Sequence, residues 1–273
     1  MHLTVSRVHS SDFDAILPAQ FAAFDPIDLS LAFFGRFSSA NLAIAKKRQL
    51  DSFHNDPADV WLKVTDEDEE IEVDIINEDY VEKPGDTNSF SKGKKIVKRI
   101  VSASNWKLYP TFVEGHEAKQ HAAGPLKAAT NGEVKASVEA EKKADGSEIT
   151  WLSTPAERAD AHSILEDFLG RRRRDCREGH LLLALLFVHP AYQRKGAGAM
   201  MVQWGAELAD QLMLPAWVEA SPFGHGLYAR YGFEDVEHVE VVTKSIVGEY
   251  TRMRRPVKVK GFSGKELARF GPS

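Results

Sequence analysis

The residues best placed to do chemistry gather in one short stretch, Val188-His189-Pro190-Ala191-Tyr192-Gln193-Arg194-Lys195-Gly196-Ala197-Gly198. It follows a run of continuous apolar residues, Leu181 to Val188, and precedes a helical pattern. Two glycines separated by one residue at a helix start let backbone N–H groups converge on an anion, and the helix dipole adds favourable partial charge. Arg194 and Lys195 bring full positive charge beside them. A phosphate or pyrophosphate is the natural ligand of such a turn. The turn is not of the Walker A type, because no Gly-Lys-Ser/Thr is present. Nor is it the dinucleotide G-x-G-x-x-G turn, because position 201 is Met. Taken alone, a G-x-G turn fits a plain helix entry equally well.

Other chemistry-bearing residues are weaker signals. Arg171 to Arg174 with Arg177 form a charge run at a helix end, where it complements the dipole and stays solvated. Contact with a cofactor phosphate or a nuclear-import patch are the alternatives. Asp66 to Glu70 reads as an acidic loop, with attraction of cationic substrates as its functional alternative. Cys176 has His180 four residues on, but no nucleophile motif surrounds the pair. It is the only cysteine, so an intrachain disulfide and a multi-cysteine zinc site are excluded and no metal is expected.

The elements that must position the turn are legible from periodicity. Leu181 to Val188 is too short for a typical helix and reads as a buried central strand. Gly196 opens a helix to about Leu212, whose inner face is expected to be Met201, Trp204, Leu208 and Leu212. Pro215 to Ala220 reads as a strand, Gly224 to Tyr231 as a short helix stopped by Gly232. Phe233 to Val242 and Glu249 to Val257 read as a closing antiparallel pair. Upstream, Leu3 to Val8 is extended, and Ser10 or Ser11 is placed to cap a helix carrying Phe13, Ile16, Leu17, Phe21 and Phe24, with Pro18 a point of kinking or splitting. Further helices are expected around Leu29 to Phe34, from Ser39 to Phe53 and from Pro155 to Arg174. Val60 to Val64 and Ile96 to Leu108 read as neighbouring strands. The segment 66–95 between them reads as an insertion, and 114–150, poor in large apolar residues, as a flexible segment.

With 273 residues, 43% of them apolar, the chain can fill one large domain with insertions. A net charge of −5 argues against a molecule built to coat nucleic acid or an anionic membrane. The single cysteine, the lack of a signal-like apolar N-terminus and the shortness of the longest apolar run point to a soluble protein of the cytosol or nucleus.

The motifs together resemble those of the GNAT superfamily of N-acetyltransferases. Its Q/R-x-x-G-x-G/A signature directly after a central strand matches Gln193-x-x-Gly196-x-Gly198, preceded by Val188-His189-Pro190. A second segment follows at the expected distance: Glu219-Ala220-Ser221-Pro222, Gly226-Leu227-Tyr228 and Tyr231-Gly232-Phe233. The clear match covers about 181–236. Glu-Ala-Ser-Pro before Leu-Tyr resembles fungal members and antibiotic-inactivating acetyltransferases. The resemblance implies one α/β domain over 1–273, with a mixed, mostly antiparallel sheet, helices on both faces and splayed central parallel strands forming an acetyl-CoA cleft. It implies that the amides from Gln193 through Arg194, Lys195, Gly196, Ala197 and Gly198 to Ala199 hold the pyrophosphate. Phe187 and Val188 would line the pantetheine arm, and the Val188 amide would polarise the thioester carbonyl.

By the same resemblance Tyr228 faces the departing sulfur. A phenol with an ordinary pKa of about 10 is protonated at neutral pH and ready to donate; the alternative is that Tyr228 only packs its helix. Many members carry a carboxylate on the strand before the phosphate turn, where this chain has Ala184. Glu219 is then the nearest candidate base, directly or through water; its competing reading is a charge satisfied by backbone or by an arginine. His180 and His189 flank the same strand as surface or capping residues. The implied activity is acetyl transfer from acetyl-CoA to the primary amine of a small molecule. A protein or peptide amine is the second reading and a catalytically inactive CoA-binding module the third. A closed, aromatic-walled acceptor cavity would favour a small molecule and an open groove a peptide.

Overall fold

The computed structural model describes residues 1–82, 89–111 and 149–258. In these, strands β1 (Leu3–Arg7), β2 (Asp59–Ile76), β3 (Ser91–Tyr109), β4 (His180–Val188), β5 (Ala216–Ala220), β6 (Glu234–Val242) and β7 (Val247–Arg255) form one sheet in the order β1-β2-β3-β4-β5-β7-β6. Only the β4–β5 pairing is parallel. The expected mixed, mostly antiparallel sheet is what the chain forms. Helices α1 (Phe13–Phe24), α2 (Ser30–Phe34), α3 (Ser39–Asn55), α4 (Pro155–Asp175), α5 (Ala197–Leu212) and α6 (Pro222–Arg230) surround it.

Strand alternation assigns the helices to faces. Trp106, Leu181, Leu183, Val218 and Met253 point toward α5 and α6 and build the largest apolar cluster. On the opposite face Trp61, Ala103 and Phe187 pack against α1 and α3. Farther along that face α4 and α2 share a third cluster with Val239, Ile246 and Tyr250 of the β6–β7 hairpin.

The buried face of α5 differs from the expected one. Ala197, Gly198, Met201, Val202, Gly205, Ala206 and Ala209 are buried, whereas Trp204 and Leu208 are half-buried and Leu212 is exposed. The reason is distance to the sheet. A Cβ placed on Gly205 would lie 2.0 Å from Cζ2 of Trp106. Small residues let the helix axis close onto the indole, and the larger apolar side chains are displaced to the flanks.

The expected insertion at 66–95 is largely regular structure. β2 and β3 continue past the body of the sheet as one long hairpin, paired out to Ile76 and Ser91. The acidic stretch sits in it as a bulge, where the register passes from Asp66↔Arg99 to Glu70↔Lys98. Asp66 and Asp68 receive the chain's first residues: His2 N donates to Asp66 Oδ1 at 3.2 Å, and the terminal amine pairs with Asp68 at 2.7 Å. Farther out the hairpin braces α1 and α3. Buried Asp14 of α1 accepts from Lys46 (2.8 Å), Lys95 (2.6 Å) and the Ile76 amide (3.0 Å). α1 runs unbroken through Pro18, and Ser10 and Ser11 lie in a 3₁₀ turn in which Asp12 accepts from the His9 amide at 2.7 Å.

Of the segment 114–150 expected to be flexible, residues 114–148 lie outside the described residues. Its end is packed: Ile149 and Trp151 are buried, and the Trp151 indole donates to the Ala32 carbonyl at 3.2 Å. Gly205→Ala is expected to lower stability by about 1–3 kcal/mol, the usual cost of overpacking a closed contact. A denaturant midpoint equal to that of the parent would show that the α5–Trp106 contact is looser than described.

Candidate active site

β4 and β5 pair over only three residues, Leu181↔Ala216, Leu182↔Trp217 and Leu183↔Val218, and then part. A bulge in the β3–β4 ladder marks the same place, since Asn105↔Leu185 is followed by Trp106↔Leu183 and Ala184 is left over. Beyond it β4 keeps its antiparallel partner β3 on one side and, among the described residues, has none on the other. The parity of that ladder decides which amides are left open. The His189 amide donates to the Val101 carbonyl at 2.8 Å, which makes Val101 and His189 a hydrogen-bonded pair. Bonded and non-bonded pairs alternate in an antiparallel ladder, so Ser102↔Val188 and Ser104↔Leu186 are non-bonded. The peptide groups of Leu186 and Val188 therefore face the gap toward β5. Consistent with this, the Val188 carbonyl accepts from Gln193 Nε2 at 3.5 Å, while the Phe187 carbonyl faces β3 and accepts from Ser102 Oγ at 2.5 Å.

The turn after β4 has a backbone geometry that suits an anion. His189 Nδ1 accepts from the Ala191 amide at 3.3 Å and holds a 3₁₀ turn over Pro190–Tyr192. Arg194 (φ 62°) and Gly196 (φ 96°) both take left-handed backbone conformations, which turn successive N–H groups toward one side. No side chain caps α5, so its first-turn amides have no acceptor within the helix or from a capping residue. A Cβ on Gly196 would meet nothing within 4 Å, leaving that approach open. Gly198 has the opposite reason to be small: a Cβ there would lie 3.2 Å from Leu227 and 3.3 Å from Val188, so it seats the helix end against β4. Lys195 Nζ lies 4.8 Å over the ring of Tyr192, whose hydroxyl is bonded to Glu69 of the bulge. The long hairpin thus braces the phosphate turn. A pyrophosphate fits this set of free amides, open glycine and flanking cations.

Tyr228 stands on α6, buried, with its ring against Gly224 and 6.0 Å from Phe233. Burial pushes its phenol above the ordinary value of 10, so it is a proton donor throughout the neutral range. Among the described residues no hydrogen bond holds its hydroxyl. Glu219 is differently placed. Arg172 of α4 grips it in a bidentate pair, Nε to Oε1 at 2.8 Å and Nη2 to Oε2 at 2.7 Å, with both side chains buried. Of the two readings of Glu219, the geometry matches the charge satisfied by an arginine.

The remaining expectations resolve by contact. The arginine run is solvated only in part: Arg174 and Arg177 are exposed, Arg171 and Arg173 half-buried and Arg172 buried. Arg171 and Arg174 pair with Glu237, Arg174 with Asp175, and Arg252 of β7 joins Asp175 and Glu237. The network ties the end of α4 to β5, β6 and β7, because β5 and β6 bring Glu219 and Glu237, and β7 brings Arg252, to the helix terminus. Burial pushes the Cys176 thiol up to about 12, which keeps it protonated and inert. His180 is buried, with Nδ1 2.7 Å from the Glu178 carbonyl, and burial lowers its pKa, as it does that of His189.

On the α1 side of β4 lies a cleft of about 210 Å³ between α1 and α2. Phe21, Phe24, Phe34 and Phe37 wall it, Gln20 is buried at its floor, and Asp25 and Asp28 stand exposed at its rim. Phe24 stacks on Phe34 at 5.4 Å and meets Phe187 of β4 edge-on at 6.5 Å. The cleft therefore abuts the strand whose amides face the gap.

Residues 161–235 match the family model for the acetyltransferase (GNAT) domain. That stretch is GNAT-like, and it is less than half of the chain. The match covers α4, β4, the phosphate turn, α5, β5 and α6, and acetyl-CoA is the donor that this fold uses. The "Probable acyltransferase SID5" of Ajellomyces capsulatus is 27% identical over 70 residues, 26% of this chain and 52% of that protein. An acetyltransferase of Stachybotrys chartarum is 33% identical over 64 residues, 23% of this chain and 28% of that protein. The match thus spans about half the length of the first relative and less of the second. Among solved structures, the Drosophila melanogaster polyamine N-acetyltransferase that forms N-acetylagmatine superposes with a TM-score of 0.54 at 12% identity, covering 94% of this chain and all of that one. An apo agmatine N-acetyltransferase gives 0.53 at 12% identity, over 92% and 98% of the two chains. At such identities the likeness is one of fold.

The fold brings together most of the residues that the sequence motifs single out. Phe187, Val188 and the run Gln193 to Ala199 lie along one edge of the gap and the helix mouth beyond it. The open peptide group of Leu186 was not foreseen, since only strand register distinguishes it from Leu185. The Arg172–Glu219 pair makes its own demand. Arg172→Met is expected to cost about 3–5 kcal/mol, because it leaves a buried carboxylate unpaired. Replacing both residues by methionine is expected to recover most of that in urea unfolding. A double variant no more stable than Arg172→Met would show that the pair does not act as a unit.

Proposed function

We propose that this protein transfers an acetyl group from acetyl-CoA to the primary amine of a small molecule, by direct attack in a ternary complex. The observation that carries the reading is the parting of β4 from β5 beside an uncapped, glycine-opened helix N-terminus. Bound acetyl-CoA supplies an activated thioester carbonyl and a thiolate leaving group. The amides of the Gln193–Ala199 run and the cations of Arg194 and Lys195 hold its diphosphate. The Leu186 and Val188 peptide groups pair with the pantetheine arm as a missing strand would. The Val188 N–H also donates to the carbonyl oxygen, where charge develops in the transition state. Tyr228 donates its phenolic proton to the departing sulfur. Its buried setting supports this role, because a raised pKa keeps the proton on Oη until a thiolate forms.

No carboxylate of β4 is available as a base, and both Glu219 oxygens are engaged by Arg172. The role left to Glu219 is to fix β5 against α4 at the edge of the gap. An amine that reaches the site uncharged needs no strong base: the proton it sheds as the amide forms returns through solvent to the Tyr228 phenolate, which restores the phenol after the CoA thiol has left. The aromatic-walled cleft beside Phe187 supports a small acceptor over a peptide.

Two measurements test the reading. Calorimetry is expected to show CoA binding, and thiol release in the presence of acetyl-CoA is expected to depend on an added small amine. CoA binding with no amine-dependent thiol release would favour an inactive CoA-binding module. Tyr228→Phe is expected to lower turnover by roughly 100-fold at saturating substrates, the scale of one general acid, while leaving CoA affinity within a factor of about two. Unchanged turnover would remove Tyr228 from the mechanism.

A further inference from the structure

Asp25 and Asp28, between α1 and α2, stand outside the ion-pair networks described above. Among the described residues neither side chain forms a hydrogen bond or an ion pair, and both line the α1–α2 cleft. Arg36, also at the rim, is drawn toward Glu157 at 3.8 Å instead. Two carboxylates at a rim would mean little by themselves. The floor adds an independent sign. Gln20 is fully buried and lines the cleft, and its Nε2 has no hydrogen-bond partner. Its other amide atom, Oε1, accepts from Gln49 Nε2 at 3.0 Å, and Gln49 Oε1 is likewise unpartnered. An unpaired buried amide costs stability unless something completes it. Turning both amides over keeps the Gln20–Gln49 bond and leaves the carbonyl of Gln20, a residue that lines the cleft, as its unpartnered atom instead of the N–H. The floor can thus accept a hydrogen bond from an ammonium.

The walls suit the same guest. The faces of Phe21, Phe24, Phe34 and Phe37 attract an alkylammonium through the ring quadrupole and cover its methylenes. Resting on the acetyl-transfer reading above, we infer that this cleft holds the distal cationic group of the acceptor, so that the substrate is an elongated diamine or polyamine. One amine reaches past Phe24 and Phe187 to the Val188 end of β4, where it is acetylated. The other stays in the cleft, held by Asp25, Asp28 and the Gln20 amide. A monoamine of the same length fills the walls but leaves the polar floor and rim unsatisfied.

The test uses the full chain with acetyl-CoA, 1,4-diaminobutane and 1-aminobutane. The expected kcat/KM is at least tenfold higher for the diamine. In an Asp25→Asn/Asp28→Asn double variant, altered only at exposed positions, that ratio is expected to fall to near one through a raised KM for the diamine. In Gln20→Leu the ratio is expected to fall as well. Equal kcat/KM for the two amines in the parent, or an unchanged ratio in the double variant, would overturn the inference. Calorimetric titration of each amine into the CoA-bound protein separates the two readings. If CoA binds and neither amine is acetylated, the activity reading fails. Tighter binding of the diamine to the parent than to the double variant would still uphold the cleft, and equal binding would sink it.

Discussion

The site depends on backbone hydrogen bonds that β4 does not make. A strand inside a sheet normally satisfies its peptide groups on both sides, because an unpaired buried amide is costly. Here β4 leaves its parallel partner after Leu183 and keeps only β3, so the Leu186 and Val188 peptide groups stay open in the middle of the sheet. The bulge at Ala184 falls at the same point and shifts the strand's register as it separates. The open amides and the uncapped α5 terminus lie in succession along the chain, separated only by the turn from His189 to Gly196. Each can bind what the other leaves off, an extended chain along the strand and an anion at the helix end.

Keeping two strands apart inside a packed body demands restraint on each. β4 is pinned on the α5 face, where Gly205 and its small neighbours bring the helix down on Trp106 of β3. Gly198 sets the helix end directly against Val188 and Leu227. β5 is pinned on the opposite face, where the buried Arg172–Glu219 pair joins it to α4 and the wider network of Asp175, Glu237 and Arg252 extends the connection to β6 and β7. Buried ion pairs of this kind give direction more than stability. They suit a place where strand position matters more than closeness. The long β2–β3 hairpin plays a similar part from outside, through Asp14 to α1 and through Glu69 and Tyr192 to the phosphate turn.

Helices α1 and α2 complete the arrangement on the α1 side of β4. Their facing phenylalanines do not close into solid core but leave a cleft whose inner wall touches Phe187. The open strand edge and the aromatic cleft thus meet along one strand, approached from its free edge and from one of its faces.

The sequence by itself determined the local units. An eight-residue apolar run bounded by His180 and Pro190 reads as a buried strand, and Gly196-x-Gly198 reads as a helix opening, as both prove to be. Periods of two and 3.6 settled most other elements, because burial of one face enforces them locally. What it could not settle were quantities that depend on a second segment. Strand register decides that Leu186 and Val188, and not Leu185, offer their amides. Tight approach of α5 to Trp106 decides that glycine and alanine, and not the larger Trp204 or Leu208, form its inner face. A helix terminus meeting three strands turns an arginine run that reads as a solvated patch into an ion-pair network, and it places Arg172 on both oxygens of Glu219. The acidic stretch reads as loop because its charge masks a hairpin whose stability comes from the partner strand. Each of these outcomes rests on distances between residues remote along the chain, which only tertiary packing fixes.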